Sequence, residues 1–351
     1  MTGSAQAVVA REAVDLERLA AWMDAQGLER GPIGETHLLT GGTQNILLLF
    51  TRGERRFVLR RPPANPRPGN DVTMAREMRV LAALAGSGVP HPGFIAGCET
   101  PDVLGAAFFL MEPIDGFNPT NGLPALHAGD DAVQHRMGMA LVDGAAALSR
   151  VDYIAAGLES FGNPENYLGR QAARWRKQLD GYAVHDGWPG PDGLPHVRAV
   201  EAYLHANVPA AFRPGVMHGD YHMGNVLYRK DGPELAAIVD WELATIGDPL
   251  IDLAWLVATW RGAGGPDLPI LRVEPWRNFP RVEELIAAYA RQSDRDLSAL
   301  DWYVVLACYK LAIILEGTYA RAHAGAAAME MGLMLHEASV KALQRAMLRI
   351  G

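Results

Sequence analysis

The hydrophobic period changes once along this chain, and that change limits the folds open to it. Up to about residue 113 the apolar residues alternate in short runs broken by glycine and proline. "HLLTGGTQNILLLFTRGERRFVLRRPP" reads as strand, glycine turn, strand, turn, strand, and "AAFFLMEPIDG" as a further strand ended by Pro113 and Gly116. Between them "TMAREMRVLAALAGSGVPHP" has a helical stripe of Met74, Met78, Leu81 and Ala85, stopped by Gly86 and Pro90. A short leading helix, "DLERLAAWMDAQGL", precedes the strands. Beyond residue 113 the period is 3.6. "DAVQHRMGMALVDGAAALSRV", "ENYLGRQAARWRKQLDGY", "PLIDLAWLVATW", "RVEELIAAYARQ", "LSALDWYVVLACYKLAIILEGTYARA" and the segment from Ala326 predict helices. Only "GVMHGD" and "ELAAIVDWE" predict strands there. The expectation is an α+β chain in two lobes, residues 1–113 small and β-rich, residues 114–351 larger and mostly helical, without a flexible linker and without a repeat.

Charge and cysteine content narrow the function. The net charge of -8 argues against a general nucleic-acid or anionic-membrane binder. Cys98 and Cys308 lie too far apart in sequence for a cysteine zinc motif or a disulfide framework, which suits a reducing cytoplasm. The first residues lack a long apolar segment of the secretory kind. "VVLACYKLAIILEG" is interrupted by Lys310 and reads as a buried helix rather than a membrane span.

"VMHGDYHMGNVLYRKDGPELAAIVDWE", Val216 to Glu242, gathers two histidines, an asparagine and several carboxylates between two apolar runs. Asp220 and Asn225 sit at the ends of a short loop, and Asp240 follows the strand-like "LAAIV". Phosphoryl transfer from ATP uses these parts: a carboxylate to orient a hydroxyl and accept its proton, and oxygen ligands for magnesium bridging the phosphates. Asp220 is then the base, with Asn225 and Asp240 on the metal. A polar hairpin whose Asp and Asn only make turns is the bland alternative; the preceding His-Gly, the spacing and the flanking strands weigh against it. Zinc on His218 and His222 would need a helix, and Gly219 and Gly224 argue for a loop. His218 is expected to orient the loop, and His222 to be solvated. The chain has neither a nucleophile elbow nor a Walker-type loop.

Taken together, these motifs resemble the aminoglycoside phosphotransferase and choline-kinase-like enzymes, which share the protein-kinase fold. "HGDYHMGN" is similar to their catalytic loop and "IVDWE" to their metal-binding strand end, with Asp252 of "GDPLIDLAW" bracing the loop. "FGNPENYLGRQAARWRKQ" and "FVLRRPP" resemble the subgroup related to kinase-like domains joined to acyl-CoA dehydrogenases. The resemblance implies a cleft holding ATP and Mg2+. It makes Gly41, Gly42 and Thr43 the turn over the phosphates, where glycine lets backbone N–H groups approach an anion. Arg60 stands where relatives commonly carry lysine, on one strand face with Val58, which would line the adenine pocket; a register slip would hand the role to Arg61. Glu77 is the implied helix partner of Arg60, a surface glutamate being the alternative. Met111 would lie behind the adenine, with the Glu112 carbonyl and the Ile114 N–H bonding it. The implied activity is a small-molecule kinase acting on a hydroxyl: a hydroxyacyl or other metabolite, or an aminoglycoside-like compound. A nucleotide-binding pseudokinase is the alternative, and Arg60 is the residue that favours it. Whether the chain forms a homodimer stays open.

Overall fold

A computed structural model describes residues 14–39, 45–63 and 69–350. The chain divides into two compact units: residues up to Asp115 together with Ala236–Ala244, and Gly116–Leu235 together with Thr245–Gly351. The change of period near residue 113 thus falls within two residues of a unit boundary, but the segment carrying Asp240 groups with the first unit rather than with the helical one.

The first unit opens with α1 (Leu16–Ala25), capped by the Asp15 carboxylate, which accepts from the Arg18 N–H. β1 (Ile33–Leu38), β2 (Ile46–Arg52) and β3 (Arg55–Arg61) follow, then α2 (Asn70–Ala83), β4 (Phe94–Cys98) and β5 (Phe108–Met111). They form one antiparallel sheet in the order β1-β2-β3-β5-β4. Strand alternation sorts the side chains. Leu48, Phe50, Phe57, Leu59, Phe108 and Leu110 are fully buried and share a core with Leu19 and Met23 of α1. Val58 and Arg60 lie on the other set, opposite Met111 and Phe109 across the β3–β5 pair. α2 packs against β4 and β5. β4 carries Gly97, where a Cβ would come within 2.5 Å of the Met78 sulfur. Two expectations change here. α2 begins at Asn70 and ends at Ala83, so Leu84 and not the exposed Ala85 closes its buried stripe. β4 was not predicted, because "FIAGC" is half-buried throughout and lacks alternation.

In the second unit come α3 (Ala125–Gly129), α4 (Asp131–Ser149), α5 (Gln171–Gly181), α6 (Val197–Ala206), β6 (Gly215–Met217), β7 (Val226–Tyr228), then, after β8 (Leu235–Ile238), of which all but Leu235 belongs to the first unit, β9 (Thr245–Gly247), α7 (Leu250–Thr259), α8 (Val282–Gln292), α9 (Leu300–His323) and α10 (Met329–Ile350). The helix expected over "ENYLGRQAARWRKQLDGY" covers only Gln171–Gly181; Asn166 has φ +46, and helical geometry starts after it. α3, α6, β7 and β9 lie where the hydrophobic pattern predicts no element. α9 is long and apolar enough to cross a membrane by length and composition, but 78% of its apolar window is buried among other elements. It packs against α5, α6, α7 and α10. That all-round burial explains its weak amphipathic pattern.

Candidate active site

In the second unit, β6 delivers the chain to His218 and stops. Gly219 has φ +85, a left-handed backbone that a side chain would strain, and it turns the loop back on itself. One side chain on α7 fixes the turn. Asp252 Oδ2 accepts from the His218 N–H at 2.7 Å and Oδ1 from the Gly219 N–H at 2.8 Å. Asp252 is 2% exposed, so neither N–H can turn to water instead. Burial pushes the Asp252 carboxyl up to about 7, against the pull of those two N–H groups and of Lys310.

Asp220 follows. Its N–H donates to His218 Nδ1 at 3.3 Å. Asn225 closes the loop from the other end: its Nδ2 donates to both the Asp220 carbonyl and Asp220 Oδ2, each at 2.9 Å. Spent on those two bonds, the amide faces its Oδ1 away, and that oxygen accepts from no group among the described residues. The Asn118 Nδ2 donates to the Gly224 carbonyl at 2.6 Å and ties the loop to the segment after Gly116. His222 is not solvated, as the sequence had suggested. It is 16% exposed at the side chain, accepts from the Gly224 N–H at 3.0 Å, and sets its Nε2 3.4 Å from Asp220 Oδ1. Burial raises the Asp220 carboxyl, but the hydrogen bond and charge of His222, then Lys310 and His218, outweigh it and hold the group well below the usual carboxylate range. Asp220 is therefore an ionised acceptor at neutral pH.

In the first unit, β8 ends before Asp240, a non-glycine residue at φ +67, ψ 62. Such backbone costs on the order of 1–3 kcal/mol and gathers at functional sites. Arg60 joins two carboxylates: Nε donates to Glu77 Oε2 and Nη2 to Asp240 Oδ1, both at 2.8 Å. Glu77 is 2% exposed, not a surface residue. Burial pushes its carboxyl up to about 7, opposed by Arg60. For Arg60, burial works downward, but Glu77 and then Asp240 more than offset it. Arg61, on the opposite register, donates instead to its neighbour's Pro62 carbonyl. Val58 is buried opposite Met111. At the end of β5 the Glu112 N–H donates to the Gly93 carbonyl at 2.8 Å, while the Glu112 carbonyl and the Ile114 N–H meet no partner among the described residues. Gly41, Gly42 and Thr43 lie outside the described residues.

The donor chemistry suits magnesium. Asn225 Oδ1 and Asp240 Oδ2 are hard oxygens without a hydrogen-bond donor among the described residues, the ligand type this ion takes. Zinc is disfavoured: among the described residues no three His, Cys, Asp or Glu group closely enough to hold a metal, and both loop histidines spend Nδ1 on backbone N–H groups.

Next to the loop lies a cavity of about 280 Å³, lined by Met223, Leu256, Trp260, Leu271, Arg272 and Trp276 among others. Arg261 on its wall pairs with Asp267 and Glu274. Arg272 has no ion pair among the described residues. The loop 262–274 that walls the cavity carries no periodic signal in the sequence.

Comparison with known proteins gives this arrangement a context. The phosphotransferase enzyme family matches residues 35–303. Among curated proteins, acyl-CoA dehydrogenase family member 10 of Mus musculus is 28% identical over 294 residues, covering 82% of this chain and 26% of its own length. Acyl-CoA dehydrogenase family member 11 of Rattus norvegicus is 29% identical over 293 residues, covering 80% and 35%. The chain therefore spans about a quarter to a third of these relatives. A solved chain from Ralstonia eutropha JMP134, assigned to the aminoglycoside phosphotransferases, superposes with a TM-score of 0.78 at 26% identity, over 95% of this chain and 99% of its own. The aminoglycoside phosphotransferase APH(4)-Ia, solved as a thermostable mutant with AMP-PNP and hygromycin B, gives a TM-score of 0.59 at 13% identity over 92% and 98%, a likeness of fold alone. The α+β, kinase-like fold is thus established.

Proposed function

Since the chain belongs to the phosphotransferase enzyme family, we propose that it moves the γ-phosphate of ATP to a hydroxyl of a small molecule. The observation that carries this reading is the Asp220–Asn225 loop: one amide nitrogen holds both the carbonyl and the carboxylate of Asp220, and the carboxylate stays ionised. An ionised acceptor on a fixed loop can orient an alcohol and take its proton. Asn225 and Asp240 supply oxygens for Mg2+, which when bound neutralises charge developing on the phosphates. In the first unit Arg60 is the cation for phosphate, oriented by Glu77. Val58, with the Glu112 carbonyl and the Ile114 N–H, forms the adenine seat, and Gly41, Gly42 and Thr43 form the phosphate turn.

For the acceptor, the cavity beside Met223 favours a molecule with an apolar body and an acidic group: tryptophan and leucine line it, and Arg272 is a cation without an ion pair among the described residues. A hydroxylated acyl compound fits this better than a polycationic amino sugar. The curated relatives, named for acyl-CoA dehydrogenases, lean the same way. We place the reaction in a reducing cytoplasm, in keeping with two cysteines left as free thiols.

ADP release measured with hydroxylated acyl-CoAs, amino sugars and choline-like alcohols tests the proposal. Wild type turns over at least one of them, and Asp220→Asn lowers the rate by about 10²–10⁴. One observation supports a second reading, a nucleotide-binding pseudokinase: Arg60 Nη2 already occupies one oxygen of Asp240. Tight nucleotide binding without ADP release on any acceptor would establish it.

A further inference from the structure

We propose that Lys310 is a positioning residue for this transfer, a buried ammonium that fixes the Gly219 peptide and with it the loop that carries Asp220, so that turnover depends on this side chain staying charged. The inference rests on the function proposed above.

Lys310 lies midway along α9, 8% exposed. Its Nζ donates to the Gly219 carbonyl at 2.5 Å. The Gly219 N–H is already held by Asp252. The left-handed residue that turns the loop is thus gripped at both its polar backbone atoms, one from α7 and one from α9. The rest of the ammonium meets aromatic faces: Nζ is 4.1 Å from the Trp255 ring centre and 5.5 Å from that of Trp175. The charged groups facing it are Asp220 on the loop, Asp252 on α7 and Arg174 on α5. Both carboxylates thus lie in the field of this buried cation, which acts on Asp220 after His222 and on Asp252 after its two backbone N–H partners.

The choice of residue matters. The chain has 28 arginines and four lysines, at 177, 230, 310 and 341, and of those four only Lys310 is buried. Arginine supplies the other buried basic side chains, Arg52, Arg60, Arg61 and Arg345. An arginine keeps its proton at any working pH, whereas lysine is a compact point charge that burial can neutralise. Burial does lower Lys310, to about 8, with Asp220 and Asp252 working the other way. Below that value the clamp is charged; above it the ammonium becomes a neutral amine.

Four lysines make the test clean. Wild-type protein labelled with 13Cε-lysine is titrated by NMR, with Lys310 assigned by its loss in Lys310→Arg. The Lys310 signal is expected near pH 8 and the others near the ordinary lysine value of about 10.4. Asp220→Asn should lower the Lys310 midpoint by about one unit or more, because it removes a facing negative charge. In ADP-release assays with the best wild-type acceptor, kcat should fall on an alkaline limb with the same midpoint. Lys310→Met should lose kcat by about tenfold or more, the scale seen when a group orienting a reactive ligand is lost, with KM for ATP little changed and no such limb. Lys310→Arg should recover part of kcat and move the limb upward. A Lys310 midpoint near the ordinary value, or one unmoved by Asp220→Asn, overturns the inference, as does Lys310→Met with wild-type kcat and pH profile. If Lys310→Met does not fold, the two titrations and the wild-type profile decide. Loss of turnover in Asp220→Asn but not in Lys310→Met defeats this inference alone. Absence of ADP release by wild type on every acceptor defeats the transfer reaction and this inference with it.

Discussion

Asp252 holds the catalytic loop through backbone alone, so its removal can be predicted quantitatively. Asp252→Ala strands the His218 and Gly219 N–H groups, now bonded at 2.7 and 2.8 Å, in a site without water access. An unsatisfied buried donor costs about 1–3 kcal/mol, so the pair comes to about 2–6 kcal/mol. Part is offset, because the variant no longer buries a carboxylate that burial has pushed up to about 7. We expect a net loss of about 2–4 kcal/mol, a large share of the roughly 5–15 kcal/mol that stabilises a typical domain. Asp252→Asn keeps one acceptor and turns an NH2 toward the other N–H, so it should lose about half as much. The sign of its pH dependence follows from linkage. A carboxyl raised on folding contributes stability that is complete below its unfolded value and lost as pH rises through about 7. Asparagine has no proton to exchange, so the gap between wild type and Asp252→Asn should narrow from about pH 5 to about pH 8. Urea unfolding at both pH values, followed by tyrosine and tryptophan fluorescence, measures this, and ADP release reports the loop. An alanine variant within about 0.5 kcal/mol of wild type, with unchanged turnover, would refute the claim that Asp252 holds the loop.

Three further outcomes follow from particular contacts. Glu77→Gln leaves Arg60 with Asp240 as its one carboxylate partner among the described residues and should cost about 1.5–3 kcal/mol, read by urea unfolding, with a weaker response to ATP. Gly162→Ala would place a Cβ 2.5 Å from Thr245 Oγ1 and 2.6 Å from the Ile246 nitrogen; a backbone neighbour yields little, so a loss of about 1–3 kcal/mol is expected in the same assay. Removing Mg2+ with EDTA should abolish ADP release, and Asp240→Asn should raise the Mg2+ concentration needed for half-maximal rate, since amide oxygen binds the ion less well than carboxylate.

Much of the candidate site was legible in the sequence because its groups lie close along the chain. Asp220 and Asn225 are five residues apart, and a short loop with glycine turns brings them together whatever the rest does. Arg60 was harder. Alternation allowed either Arg60 or Arg61 to face α2, and only the paired register, with Arg60 across from Leu47 and Phe109, settled which one meets Glu77. His222 carried no legible signal: its contact with Asp220 depends on a local turn at Met223–Asn225 that hydrophobic pattern does not encode. β4, β7 and β9 escaped because runs of three to five residues are too short to establish a period, and β4 is half-buried throughout.

The sequence alone determined the architecture and the loop of the candidate site. A switch from period two to period 3.6 specifies a sheet-bearing unit and a helical one, and residues local in sequence stay local in space. The tertiary structure decided what surrounds them. Asp252 lies more than thirty residues from the N–H groups it binds and Lys310 ninety-one from its carbonyl. Lys310 reads in sequence only as an interruption of an apolar helix, because the pattern says a residue is buried but not which groups wait for it there. Partners across such separations are chosen by helix packing, and so the bond from Lys310 to the Gly219 carbonyl appears only once α5, α7 and α9 come together around one ammonium.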